Sequence, residues 1–189
     1  MKKLALCVAA MGVAALSAAQ APTSSRVDAI WDAANDRITQ QIDVWFQDGD
    51  FPALVSLLSV QFELDTRNYD VCTNLGWMQE NIQQWDDALA TYVRYREVNP
   101  TDPDRALPEA DFYFRQKAYA KIPALLEPVI SSTPHPHPNV FRILAHAYEK
   151  QKLYGDAKRV YLDYIAIAPG DLTAKSNLAK VEKKLAAGS

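Results

Sequence analysis

One pattern in this chain recurs at a fixed offset and constrains everything else. Cys72, Leu75, Gly76, Gln79, Trp85, Ala88, Tyr92, Tyr95 and Pro100 are answered 69 residues later by Phe141, Leu144, Ala145, Tyr148, Tyr154, Ala157, Tyr161, Tyr164 and Pro169. The offset is two 34-residue units with one extra residue, and a period of that size marks a supersecondary unit that stacks on copies of itself. Leu75, Gly76, Gln79 and Ile82 share one helical face, and Trp85, Ala88, Leu89 and Tyr92 share another. Gly76, Ala88, Ala145 and Ala157 let two antiparallel helices approach closely, while Tyr and Trp fill the wider gaps. Pro100 and Pro169 end their helices, because proline lacks an N–H donor and clashes with the preceding turn. Asn99-Pro100-Thr101-Asp102-Pro103 and Ala168-Pro169-Gly170-Asp171 have the composition of turns.

The pattern resembles the tetratricopeptide repeat, W-x2-L-G-x2-Y followed by A-x3-F and P. The matching residues are Leu75-Gly76, Leu144-Ala145-x2-Tyr148, Ala88-x3-Tyr92, Ala157-x3-Tyr161, Pro100 and Pro169. Cys72 and Phe141 stand where the repeat has its first Trp, and Gln79 replaces an aromatic. The resemblance implies an all-α fold: a right-handed α-solenoid of about four helix-turn-helix units with a C-terminal capping helix. The units are expected near residues 27–65, 68–101, 104–135 and 138–169. Ala53, Ala88, Ala124 and Ala157 would anchor their second helices. Pro128 should kink or shorten the second helix of the third unit. The cap, residues 171–186, would turn Leu172, Leu178, Val181 and Leu185 inward and Lys175, Lys180, Lys183 and Lys184 outward, giving the solenoid a polar end.

Residues 1–21 have a different character. Met1-Lys2-Lys3 leads into the apolar run Leu4 to Leu16, then the small residues Ser17-Ala18-Ala19-Gln20-Ala21. This is the layout of a secretory signal peptide, with cleavage after Ala19 or Ala21, and its apolar core is too short for a stable membrane anchor. The domain proper then spans residues 22–186, and the expected location is the periplasm, with full secretion as the alternative. Cleavage removes Cys7 and leaves Cys72 without a disulfide partner. With 49% hydrophobic residues, the chain can be stabilised by packing alone. The net charge of −3 argues against a nucleic-acid partner. The charge is unevenly spread: residues 20–100 carry 5 basic and 13 acidic side chains, and residues 101–189 carry 13 and 10. A field of that kind orients charged partners.

No G-x-S-x-G, H-E-x-x-H, C-x-x-C or glycine-rich phosphate loop occurs, so an enzyme is not expected and no cofactor is implied. His135 and His137 sit in a proline-rich loop; they are a sparse metal-ligand set, and a stiff connector accounts for them better. Cys72 reads as a small buried hydrophobe. Asp28, Asp32 and Asp36 read as a solvated helical face. In tetratricopeptide repeats the first helix of each pair lines a concave surface that receives a peptide or helix from another protein. Carrying that pattern onto this chain gives Asn74, Trp77 and Asn81, then Tyr113 and Lys117, then Arg142, His146 and Lys150. Asn amides suit a peptide backbone, and Arg142 or Lys150 would meet a carboxylate. The expected function is therefore a non-enzymatic adaptor for a protein or peptide partner in the cell envelope. The alternatives are self-association through Trp31, Trp45 and Phe46, and a metal or small-ligand accessory role for the His135/His137 loop.

Overall fold

In the computed structural model, residues 26–188 are described, so residues 1–21, read above as a signal peptide, and Cys7 lie outside the described residues. The described elements are helical: α1 (Arg26–Asp48), α2 (Phe51–Leu64), α3 (Tyr69–Asn81), α4 (Trp85–Val98), α5 (Leu107–Arg115), a 3-10 turn at Tyr119–Lys121, α6 (Ile122–Leu126), α7 (Pro138–Lys150), α8 (Tyr154–Ile167) and α9 (Leu172–Ala186). The chain divides at Gln40 and Gln41 into two compact units. In the first, the described residues are helical and none is buried; Val27 and Ile30 are 73% and 63% exposed. The second is a solenoid of antiparallel helix pairs, closed by α9 packing on α8.

The two helices of every pair are joined by one residue in the left-handed region: Gly49 (φ 75°), Gln83 (φ 65°), Lys117 (φ 59°) and Lys152 (φ 62°). These residues are 34, 34 and 35 positions apart. In each turn the next N–H reaches back over five residues to a helical carbonyl, Asp50 to Trp45 (2.9 Å), Gln84 to Gln79 (2.8 Å), Ala118 to Tyr113 (2.9 Å) and Leu153 to Tyr148 (2.9 Å). This is the helix-terminating motif that satisfies carbonyls left without an intrahelical donor. Five residues beyond each left-handed residue stands a buried one: Leu54, Ala88, Ile122 and Ala157, each followed four residues later by buried Leu58, Tyr92, Leu126 and Tyr161. The anchors expected at Ala53 and Ala124 are thus corrected. Ala124 is exposed and Ala53 only half-buried, because the turn, and not the alanine, sets the register.

Two apolar clusters fill the second unit. Leu54, Leu58, Phe62, Cys72, Leu75, Tyr92 and Tyr95 form one, with Ile42 and Trp45 packed against it. Ile122, Leu126, Val140, Phe141, Leu144, Tyr161 and Val181 belong to the other. Full burial of each large apolar side chain contributes roughly 1.5–3 kcal/mol. Helix α6 has only five residues and stops just before Pro128, as a proline at that place requires. Val129 and Ile130 nevertheless stay buried in the turns that follow. Helix α9 departs from expectation: Ala174 and Val181 are buried and Leu178 half-buried, whereas Leu172 and Leu185 are 76% and 46% exposed. Asp171 accepts from the Ala174 N–H (2.9 Å), and this cap fixes the start of α9 so that residues 174, 178 and 181 share the inward face.

Gly76 marks the closest approach of α3 and α4, for a methyl group there would overlap the Tyr92 ring. The matching positions, Ala110 and Ala145, are fully buried. Tyr92 is 2% exposed and its hydroxyl donates to Glu80 (2.9 Å), so the ring can yield only at the expense of that bond. Gly76→Ala is expected to lower stability by about 1–3 kcal/mol in urea unfolding. The loss should shrink in a Tyr92→Leu background, where the double-mutant cycle isolates the clash.

Candidate functional site

The first helices of successive pairs line a groove of about 250 Å³. Its walls are Tyr69, Thr73 and Trp77 from α3, Leu107, Pro108, Asp111 and Arg115 from α5, and Asn139 and Ile143 from α7, with Tyr92 also reaching it. The turn register pairs Thr73 with Leu107, Trp77 with Asp111 and Pro108 with Ile143 in this lining. Asn74, Trp77 and Asn81 on α3 correspond, 34 residues on, to Pro108, Asp111 and Arg115, and 35 further on to Ile143, His146 and Lys150.

Trp77 is 48% exposed and lines the groove; its ring centroid lies 6.5 Å from that of Phe46. Asn74 and Asn81 are exposed, with the Asn81 amide donating to the Trp77 carbonyl of its own helix (2.9 Å). Tyr113 is turned elsewhere. It packs against both apolar clusters, with the Lys121 ammonium 4.5 Å from its ring centroid. It occupies the position of Gln79 and Tyr148, which are buried. Lys117 lies beyond the end of α5, as the left-handed turn residue. Reading Tyr113 and Lys117 as groove residues therefore placed α5 two residues out of register. Lys150 is exposed at the end of α7.

Arg142 is committed within the chain. Its guanidinium donates to Asp171 (2.9 Å) and to the Asn139 side chain (3.4 Å). His146 sits 3.1 Å from Glu149 and 3.3 Å from the Tyr161 hydroxyl. Beneath these residues lies a repeated acid–tyrosine–base set that the sequence reading missed. Glu80, 8% exposed, accepts from the Tyr92 hydroxyl (2.9 Å) and from Arg115 Nε (3.1 Å) and Nη2 (2.5 Å). Glu149 accepts from the Tyr161 hydroxyl (3.2 Å) and Lys184 (2.9 Å). Glu80 and Glu149, Tyr92 and Tyr161, and Arg115 and Lys184 are each 69 residues apart, so the signal was present in the sequence at the offset already found. Each base comes from the next first helix or from the cap, so the sets fasten neighbouring units together. Deleting one partner would leave a desolvated charge, the costliest outcome for such a pair.

Other side chains considered for chemistry have structural roles. Cys72 is fully buried, and burial pushes its thiol up to about 12, so it packs and does not react. His137 Nδ1 accepts from the Asn139 N–H (3.2 Å) at the start of α7, while the His137 backbone N–H donates to Asp104 (2.6 Å). His135 is exposed, and among the described residues no group of three or more metal-ligating side chains is assembled. Trp45 is partly buried against the core, whereas Phe46, beside Phe51 and Trp77, stays 48% exposed.

Asp171 ties the cap to α7 and α8. The Ala174 N–H, then Arg142, then the Tyr164 hydroxyl (3.0 Å) hold its carboxyl down to about 2. In an unfolded chain an aspartate titrates near ~3.9. Its stabilising contribution is therefore complete above about pH 4 and disappears as the pH falls through about 2. Thermal midpoints of the protein and of Asp171→Asn should differ at pH 5 and converge toward pH 2.

Neither a protein-family model nor a curated protein sequence matches the chain. Solved structures do. The crystal structure of MamA superposes with a TM-score of 0.61 at 16% identity, over 80% of this chain and 82% of that one. A tetratricopeptide repeat protein from Parabacteroides merdae ATCC 43184 gives 0.63 at 16% identity, over 80% and 60%. The first TPR domain of human RPAP3 gives 0.53 at 20% identity, over 62% and 91%. The likeness is one of fold: this chain has the tetratricopeptide-repeat architecture.

Proposed function

We propose that this tetratricopeptide-repeat solenoid is a non-enzymatic adaptor that binds a segment of another protein along the groove formed by α3, α5 and α7. The observation that carries the reading is the groove itself, open along three successive first helices with a half-exposed Trp77 in its wall. An aromatic of this kind offers contact area at low entropic cost. The partner-facing residues are Asn74, Trp77 and Asn81, joined by Asp111 and Arg115, then by His146 and Lys150. Tyr113, Lys117 and Arg142 act through the fold instead. Export to the periplasm is part of the proposal, supported by the basic start, apolar core and small residues of positions 1–21. Among the described residues no helix is long and apolar enough to cross a membrane.

Affinity capture from envelope extracts tests this, using the protein and its Trp77→Ala variant. A genuine partner should bind Trp77→Ala more weakly by about 2 kcal/mol, and protein recovered from the periplasm should begin at Gln20 or Pro22. Partners held equally by both forms would place binding outside the groove.

A second reading, self-association, is favoured by α1. This helix buries no residue and leaves Val27, Ile30, Trp31 and Val44 between 45% and 73% exposed. Sedimentation of Trp31→Glu should then show a smaller mass than the parent at high concentration, whereas a concentration-independent monomer mass for both forms would remove the reading.

A further inference from the structure

The charge balance of the groove speaks to the chemistry of its occupant. Arg115, the cation in its wall, already faces two carboxylates, Glu80 and Asp111. Arg142, expected from the sequence to receive a ligand carboxylate, is held by Asp171. Counting Glu80, which is buried behind the wall, two carboxylates share the one guanidinium of Arg115, and Asp111 keeps 45% of its side chain exposed. Trp77 lines the same groove with a half-exposed ring. A half-exposed indole in the same wall as a guanidinium shared by two carboxylates attracts a cation by two additive means, the ring quadrupole and the net charge.

We propose that the segment taken up by the groove is basic, with a Lys or Arg side chain lying on the Trp77 ring and pairing with Asp111. This rests on the adaptor reading above and specifies its partner. A segment with a carboxylate at the Trp77 end would meet Asp111 and find Arg115 already occupied. Asp111 is a surface residue whose loss leaves the Glu80–Arg115 pair intact, so it reports on the ligand and not on the fold.

The probes are fluorescein-labelled dodecapeptide pools with identical flanks of Gly, Ala, Ser, Leu and Tyr and a single central Arg, Gln or Glu. Each is titrated with the full chain and followed by anisotropy. The Arg pool should bind about ten-fold tighter than the Gln pool, and the Glu pool weakest. The preference should narrow at high salt. It should collapse in Asp111→Asn, while Trp77→Ala should weaken all three pools. Equal binding of the Arg and Gln pools, or tighter binding of the Glu pool, would overturn the basic segment; if that binding still depended on Trp77, the groove reading would stand. Binding indifferent to Trp77→Ala, or none by any pool, would overturn both.

Discussion

A single left-handed residue closing each helix pair sets where every other residue points. Gly49, Gln83, Lys117 and Lys152 reverse the chain and satisfy helical carbonyls in the same stroke. Because the inward position falls five residues beyond the left-handed residue in every pair, it is determined whatever amino acid fills it. Leu54, Ala88, Ile122 and Ala157 differ in size, yet all are buried there. Between α3 and α4 the approach leaves no room for a methyl group at Gly76, which lies against the Tyr92 ring.

Charge is organised at a longer range, by contacts between units. The acidic first half and basic second half of the sequence do not simply face solvent. Glu80 is met by Arg115 from the next first helix and Glu127 by Arg159 on α8, while Glu149 is met by Lys184 and Asp171 by Arg142. Nearest-neighbour contacts of this kind are what a solenoid depends on, since no unit buries its surface alone. They also consume cations that would otherwise be available to a ligand.

Much of the fold was legible because it follows from local rules. Helix-period apolar spacing, the small residues between helices, Pro100 and Pro169, and the 69-residue offset together specify an all-α stack of pairs. Pro128 foretold the short α6. The third unit was the weak point, since its apolar run of Phe112, Tyr113 and Phe114 has no alternation to say which ring points where. Phe112 is buried and Tyr113 is wedged between the two clusters, leaving Asp111 and Arg115 for the groove. A register counted from Gly49 in steps of 34 would have found them. Counting from alanines did not, because Ala124 is merely a good helix former on an exposed face.

The sequence by itself determined that this chain is a stack of helix pairs, because periodicity, turn chemistry and proline act within a few residues of themselves. Only the tertiary structure decided which polar side chains are spent on the protein and which are left for a partner. Arg142 and Arg115 look alike in a sequence; one braces the C-terminal cap and the other lies in the groove wall between two acids. The difference lies in partners 29 and 35 residues away, and an ion pair depends on distance in space, which residue type and local spacing do not carry.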